Sequence, residues 1–156
     1  MYQAIIRLWV VALLISLSVP VMAADKPDPR VPKALLVLHN RLRAKADKPE
    51  LQLNDTLTTI AQRYADDLAE SGKLGHEEQG TLSDRLQAAG YRYRRAGENL
   101  ARGQRSPKEA VSSWFESPPH RANMLGDFDE VGFGYARSRG GEITWVAVFA
   151  TPASKP

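Results

Sequence analysis

The chain has 156 residues, with 21 Lys+Arg against 18 Asp+Glu, a net charge of +3 and no cysteine. Disulfides, thiolate metal sites and a nucleophilic thiol are therefore excluded. The charge is too mild to call for a nucleic-acid partner. A local cluster, Arg92, Arg94, Arg95, Arg102 and Arg105, is denser and reads as a solvated face.

The N-terminus has the pattern of an export signal. Arg7 supplies a positive start, Leu8 to Val19 is apolar apart from Ser16 and Ser18, and Pro20 precedes Val21-Met22-Ala23. Small residues there suit cleavage after Ala23. The apolar run is shorter than the roughly 20 residues of a membrane span. Residues 1–23 are thus expected to be a signal peptide, and the mature protein to be secreted or periplasmic, monomeric and without a membrane span. Residues 24–31 follow as a proline-rich lead-in, 32–152 as one domain and 153–156 as a tail.

In the domain, the first helix is expected from Pro32, with Leu35, Leu38, His39 and Leu42 on one face. A lone histidine on such a face reads as a core residue. Leu51-Gln52-Leu53 is a short extended piece. Asn54 caps a second helix, whose stripe is Leu57, Ile60, Ala61, Tyr64, Ala65 and Leu68, and Gly72 stops it. Gly75 to Gly80 forms a turn that exposes His76. A third helix covers Leu82 to Ala89, with Gly90 as its stop.

Tyr91 to Arg94 begins a strand or an extended connection that leads into Gly97-Glu98-Asn99. Ser106-Pro107-Lys108-Glu109 is a capping box with proline in the first turn, and Pro118-Pro119 ends the helix it starts. A loop carrying His120 is expected next. Val131, Phe133 and Tyr135 then alternate with Gly132, Gly134 and Ala136, and Glu142 to Ala150 returns as a strand apolar on both faces. Such a strand belongs in the centre of a covered sheet. About four helices around a small antiparallel sheet, an α+β fold, is the expected architecture.

Taken in order, several segments resemble the CAP superfamily, also called the SCP domain, in its bacterial exported form. They are Leu38-His39-Asn40-Arg41-Leu42-Arg43, Gly75-His76, Gly97-Glu98-Asn99-Leu100, Ala110-Val111-Ser112-Ser113-Trp114, Pro119-His120-Arg121-Ala122-Asn123-Met124-Leu125 and Val131-Gly132-Phe133-Gly134. The resemblance implies a three-layer α-β-α sandwich with a cleft of two histidines and two glutamates, able in some members to hold a divalent cation such as zinc. The matching positions are His76, Glu98 and His120. Ser117 occupies the place of the fourth, and Glu116 stands one residue early, on the solvent side of a regular helix.

Two imidazoles suit Zn²⁺, and Glu98 either ligates it or orients a histidine. A metal-free His–Glu–His cluster that knits loops to the core is the other reading. The resemblance implies an envelope or extracellular ligand (lipid, glycan or peptide). The alternative is a cell-envelope hydrolase acting on peptidoglycan, with Glu98 as general acid/base, His76 and His120 assisting, and Glu116 as a doubtful second carboxylate.

Overall fold

The computed structural model describes residues 27–154, so the expected signal peptide lies outside the described residues. The elements are α1 (Arg30–Lys45), β1 (Gln52–Leu53), α2 (Asp55–Ser71), α3 (Leu82–Ala88), β2 (Tyr93–Arg102), α4 (Pro107–Glu116), α5 (Pro118–Met124), β3 (Glu130–Arg137) and β4 (Ile143–Pro152). The strands lie in the order β1-β3-β4-β2. β4 pairs antiparallel with both β2 and β3. Every β4 residue from Ile143 to Thr151 is buried, as its two apolar faces require.

Helices cover both faces of the sheet. On one side, Leu35 of α1 and Ala110, Val111 and Trp114 of α4 pack on Val131, Phe133, Trp145, Ala147 and Phe149. On the other, Leu57, Ile60, Tyr64 and Leu68 of α2 and Leu86 of α3 pack on Leu100, Val146, Val148 and Ala150. This α-β-α sandwich follows from the period of two along β4, which sends alternate side chains to opposite layers.

Glycines in β3 set the spacing of the second interface. A Cβ on Gly132 would fall 2.0 Å from the Leu57 carbonyl carbon, and one on Gly134 would fall 2.3 Å from that of Ala61. The backbone of α2 therefore rests directly on β3. Helix starts follow local chemistry: Asn54 accepts from the Leu57 N–H, Ser106 accepts from the Glu109 N–H, and Thr81 and Asp84 form a reciprocal capping box.

Three features differ from the sequence expectation. First, α1 begins at Arg30, before Pro32. Second, the segment carrying His120 is a helix, which makes five helices in all among the described residues. Ser117 closes α4 and opens α5, with Pro118 and Pro119 in the first turn of α5. First-turn N–H groups have no acceptor inside a helix, so prolines there stop one helix and begin another without losing a bond. Third, the sheet is mixed, because β1 runs parallel to β3. The Gln52 N–H donates to Asp129 O and the Asn54 N–H donates to Val131 O, both at 2.9 Å.

Two polar side chains of α1 are buried inside the first layer. His39 is fully buried beside the rings of Trp114, Phe133 and Phe149, with Nδ1 2.8 Å from Leu35 O and Nε2 without a partner. Desolvation, above all, pushes its imidazole down to about 4; the Leu35 contact opposes this and the Arg43 charge adds to it. Arg43 is also buried and donates to the carbonyls of Pro49, Met124 and Gly126 at 2.7, 2.8 and 2.9 Å. It thereby ties the exit of α5 to α1.

Candidate functional site

His76 stands on the turn between α2 and α3, and both helices hold that turn. From α2, the Tyr64 hydroxyl donates to Gly75 O and accepts from the Glu78 N–H at 3.3 Å. From α3, Arg85 Nη1 donates to Gly80 O at 2.7 Å and to His76 O at 3.2 Å. The Arg85 guanidinium lies 3.5 Å above the Tyr64 ring, a stacking contact that fixes its plane. Gly80 has φ +79°, the left-handed conformation this closure needs.

Glu98 of β2 projects into the same layer. Its side chain is only 3% exposed, and both carboxylate oxygens are engaged. Oε1 lies 2.8 Å from His76 Nδ1, and Oε2 accepts from Arg85 Nη2 at 2.5 Å. A carboxylate oxygen can only accept, so the proton of this contact belongs to Nδ1. The neutral imidazole then offers its lone pair at Nε2, and the His76 side chain is 57% exposed. Glu98 thus orients a histidine, while Arg85 balances its charge.

His120 comes from the opposite layer. Asn99 Nδ2 donates to His120 O at 3.0 Å, and Asn123 Nδ2 donates to Asn99 Oδ1 at 2.9 Å and to Glu98 O at 3.1 Å. The His120 imidazole is pushed below its ordinary value, first by desolvation and then by its Coulombic interaction with His76. Glu98 pairs with Val148 and Asn99 with Ala147, so the two side chains leave β2 on opposite faces. One dipeptide positions both histidines.

Glu116 is exposed at the last position of α4, and its side chain makes no hydrogen bond among the described residues. Nor is any group of three or more His, Cys, Asp or Glu side chains there arranged to hold a metal ion. Of the three expected site residues, His76 and Glu98 are joined by a side-chain contact, and His120 is tied in through its backbone carbonyl on Asn99. Arg85, Tyr64, Asn99 and Asn123 carry this arrangement, and sequence reasoning placed Tyr64 in the core stripe of the second helix but gave none of the four a role in the site. Asn99 and Asn123 stand inside the quoted motifs. Arg85 had no local signal, because its partners are 5, 9 and 13 residues away.

The profile of the family described as "CAP: Cysteine-rich secretory protein family" matches residues 36–149. The chain belongs to the CAP family. This member has no cysteine. It is similar to the Uncharacterized protein YkwD of Bacillus subtilis, 34% identical over 109 residues, or 68% of this chain and 42% of that protein. It is also similar to the Uncharacterized membrane protein YlbC of the same organism, 30% identical over 108 residues, or 67% of this chain and 31% of that one. This CAP chain thus spans less than half the length of both curated relatives.

Among solved structures, an outer surface protein from Borrelia burgdorferi superposes with a TM-score of 0.76 at 26% identity, covering 83% of this chain and 99% of that one. An extracellular protein containing a SCP domain from Bacillus anthracis superposes with a TM-score of 0.69 at 26% identity, covering 78% of this chain and 40% of that one. Among the described residues of this CAP protein, no helix is long and apolar enough to cross a membrane.

Proposed function

We propose that this CAP protein is exported, to the periplasm or beyond, and acts there as a monomeric binding module rather than a hydrolase. His76 and His120 would hold a divalent cation, and an envelope or extracellular ligand would bind beside them. One observation carries the cation reading: the buried Glu98 uses one oxygen on His76 Nδ1 and the other on Arg85. That arrangement leaves His76 Nε2 free as a neutral donor. Two imidazoles with solvent completing the shell suit Zn²⁺ or Cu²⁺ over the oxygen-seeking Mg²⁺ and Ca²⁺, and imply exchangeable binding. Relatives described as extracellular and outer-surface proteins support export.

The peptidoglycan-hydrolase reading asks Glu98 to act as general acid or base. No observation favours it, since both Glu98 oxygens are engaged and the exposed Glu116 contacts neither histidine by hydrogen bond.

Thermal unfolding with and without zinc tests the cation reading. A ligand bound only by the folded state at 100 times its Kd adds about 2.7 kcal/mol, so zinc should raise the Tm of the wild type. The His76→Ala/His120→Ala double variant should show no rise. An equal zinc response in that variant would remove the imidazole pair from the function. Release of soluble fragments from cell-wall sacculi, abolished by Glu98→Gln, would instead establish the hydrolase.

A further inference from the structure

β2 is an edge strand, and the direction of each of its peptide groups follows from the ladder. Just past its end, the Gly103 N–H donates to Ile143 O. In an antiparallel pair, hydrogen-bonded positions alternate with non-bonded ones. With the register Glu98 opposite Val148, the odd residues Gly97, Asn99 and Ala101 bond inward to β4. The even residues Ala96, Glu98 and Leu100 direct their N–H and C=O groups away from the sheet. The acceptance of Asn123 Nδ2 by Glu98 O agrees with this parity. Among the described residues, the N–H groups of Ala96 and Glu98 and the carbonyl of Ala96 have no protein partner.

This free edge adjoins the histidine site. Ala96 and Gly97 are partly exposed, and His76 is exposed beside them. At one end Asn123 closes the edge by taking Glu98 O. At the other, Arg92, Arg94 and Arg95 are exposed, and none of them pairs with a carboxylate among the described residues. A groove of about 540 Å³ lined by Ser83, Gln87, Tyr91, Arg92 and Tyr93 continues past them. Arg102, another member of the sequence cluster, has a different role: it donates to Leu68 O, Gly72 O and Lys73 O at the end of α2.

We infer that an extended acidic peptide adds to this edge as a further strand. Its backbone pairs with Ala96 and with the Glu98 N–H, its carboxylates meet Arg92, Arg94 and Arg95, and one end reaches His76. Unpaired strand edges are templates for such addition, with main-chain bonds supplying affinity and side chains supplying selectivity. The inference narrows the ligand of the proposed binding module and shares its location. It does not depend on a bound cation.

The probe is a peptide of alternating threonine and valine with two glutamates at one end, followed by amide hydrogen exchange of the purified protein. In the free protein, the Ala96 and Glu98 amides should exchange at least about tenfold faster than those of Gly97 and Asn99. The peptide should slow Ala96 and Glu98 selectively. Arg94→Glu/Arg95→Glu, a surface change, should weaken the peptide at least tenfold and leave the zinc response intact. Ala96→Pro removes an outward N–H without breaking a bond to β4 and should do the same.

Equal protection of even and odd amides in the free protein would overturn the inference. So would unchanged exchange at millimolar peptide, or equal binding of a peptide with glutamines in place of its glutamates. A zinc response that persists while the peptide fails would sink the inference and leave the cation reading standing; the converse would sink that reading alone.

Discussion

Acid should unfold this protein through a residue remote from the site. His39 is fully buried, with its imidazole pushed from 6.5 down to about 4. The fold therefore favours neutral His39, whereas the unfolded chain binds a proton already near pH 6.5. Its contribution is fully present above pH 6.5 and is lost as pH falls through the window from 6.5 to 4. At about 1.4 kcal/mol for each pH unit of that window, the loss amounts to roughly 3 kcal/mol, a large part of a stability of about 5–15 kcal/mol. Urea unfolding between neutral pH and the acid end of that window measures it. His120 is also pushed downward and contributes with the same sign, so the decisive quantity is the difference between wild type and His39→Leu. That variant loses the contact of Nδ1 with Leu35 O, a loss of about 1 kcal/mol at neutral pH, but it should lack most of the acid slope. A slope in His39→Leu equal to that of the wild type would refute the argument.

Other perturbations test the site and the packing. Glu98→Gln keeps the size of the side chain, but its amide must accept from Arg85 with the oxygen and donate to His76 Nδ1 with the nitrogen. His76 should then carry its proton on Nε2, visible in its ¹⁵N shifts, and zinc affinity should fall about 10–100-fold with both imidazoles intact. Gly132→Ala places a methyl 2.0 Å from the Leu57 carbonyl carbon and should cost about 3 kcal/mol or more in urea unfolding. Gly140→Ala, where Ser138 Oγ at 3.8 Å is the nearest atom, should be close to neutral in the same assay.

The elements that were legible carried their signals within one or two turns. Ser106, Pro107 and Glu109 mark the start of α4 within four residues. The two-faced apolar run of β4 placed it in the middle of the sheet. Elements defined by distant partners were not legible. β1 has two residues, too few to show alternation, and exists because β3 offers it an edge. α5 was hidden because a double proline reads as an ending, and only its position after Ser117 makes it a beginning as well. The same division applies to the site. Its histidines and Glu98 were visible as unusual residues in unusual company. Arg85, which decides what Glu98 can do, looks on its own like an ordinary exposed helix arginine. Arg43 was equally opaque, since its acceptors at Met124 and Gly126 lie 81 and 83 residues away.

The central logic of the site is the two-residue period of an edge strand. An interior strand such as β4 has a neighbour on each side, and its side chains are fully occupied by the two cores. β2 has one neighbour, so adjacent residues can serve opposite helical layers while the backbone between them stays open on one side. Glu98 reaches His76 through the α2–α3 layer, and Asn99 reaches the His120 carbonyl on α5. A slip of β2 by one residue against β4 would send Glu98 toward α5 and Asn99 toward Arg85. That would leave the Arg85 guanidinium without its counter-charge and His76 without its acceptor. The buried pairing of Glu98 with Arg85 therefore specifies the register of β2 as well as the orientation of His76.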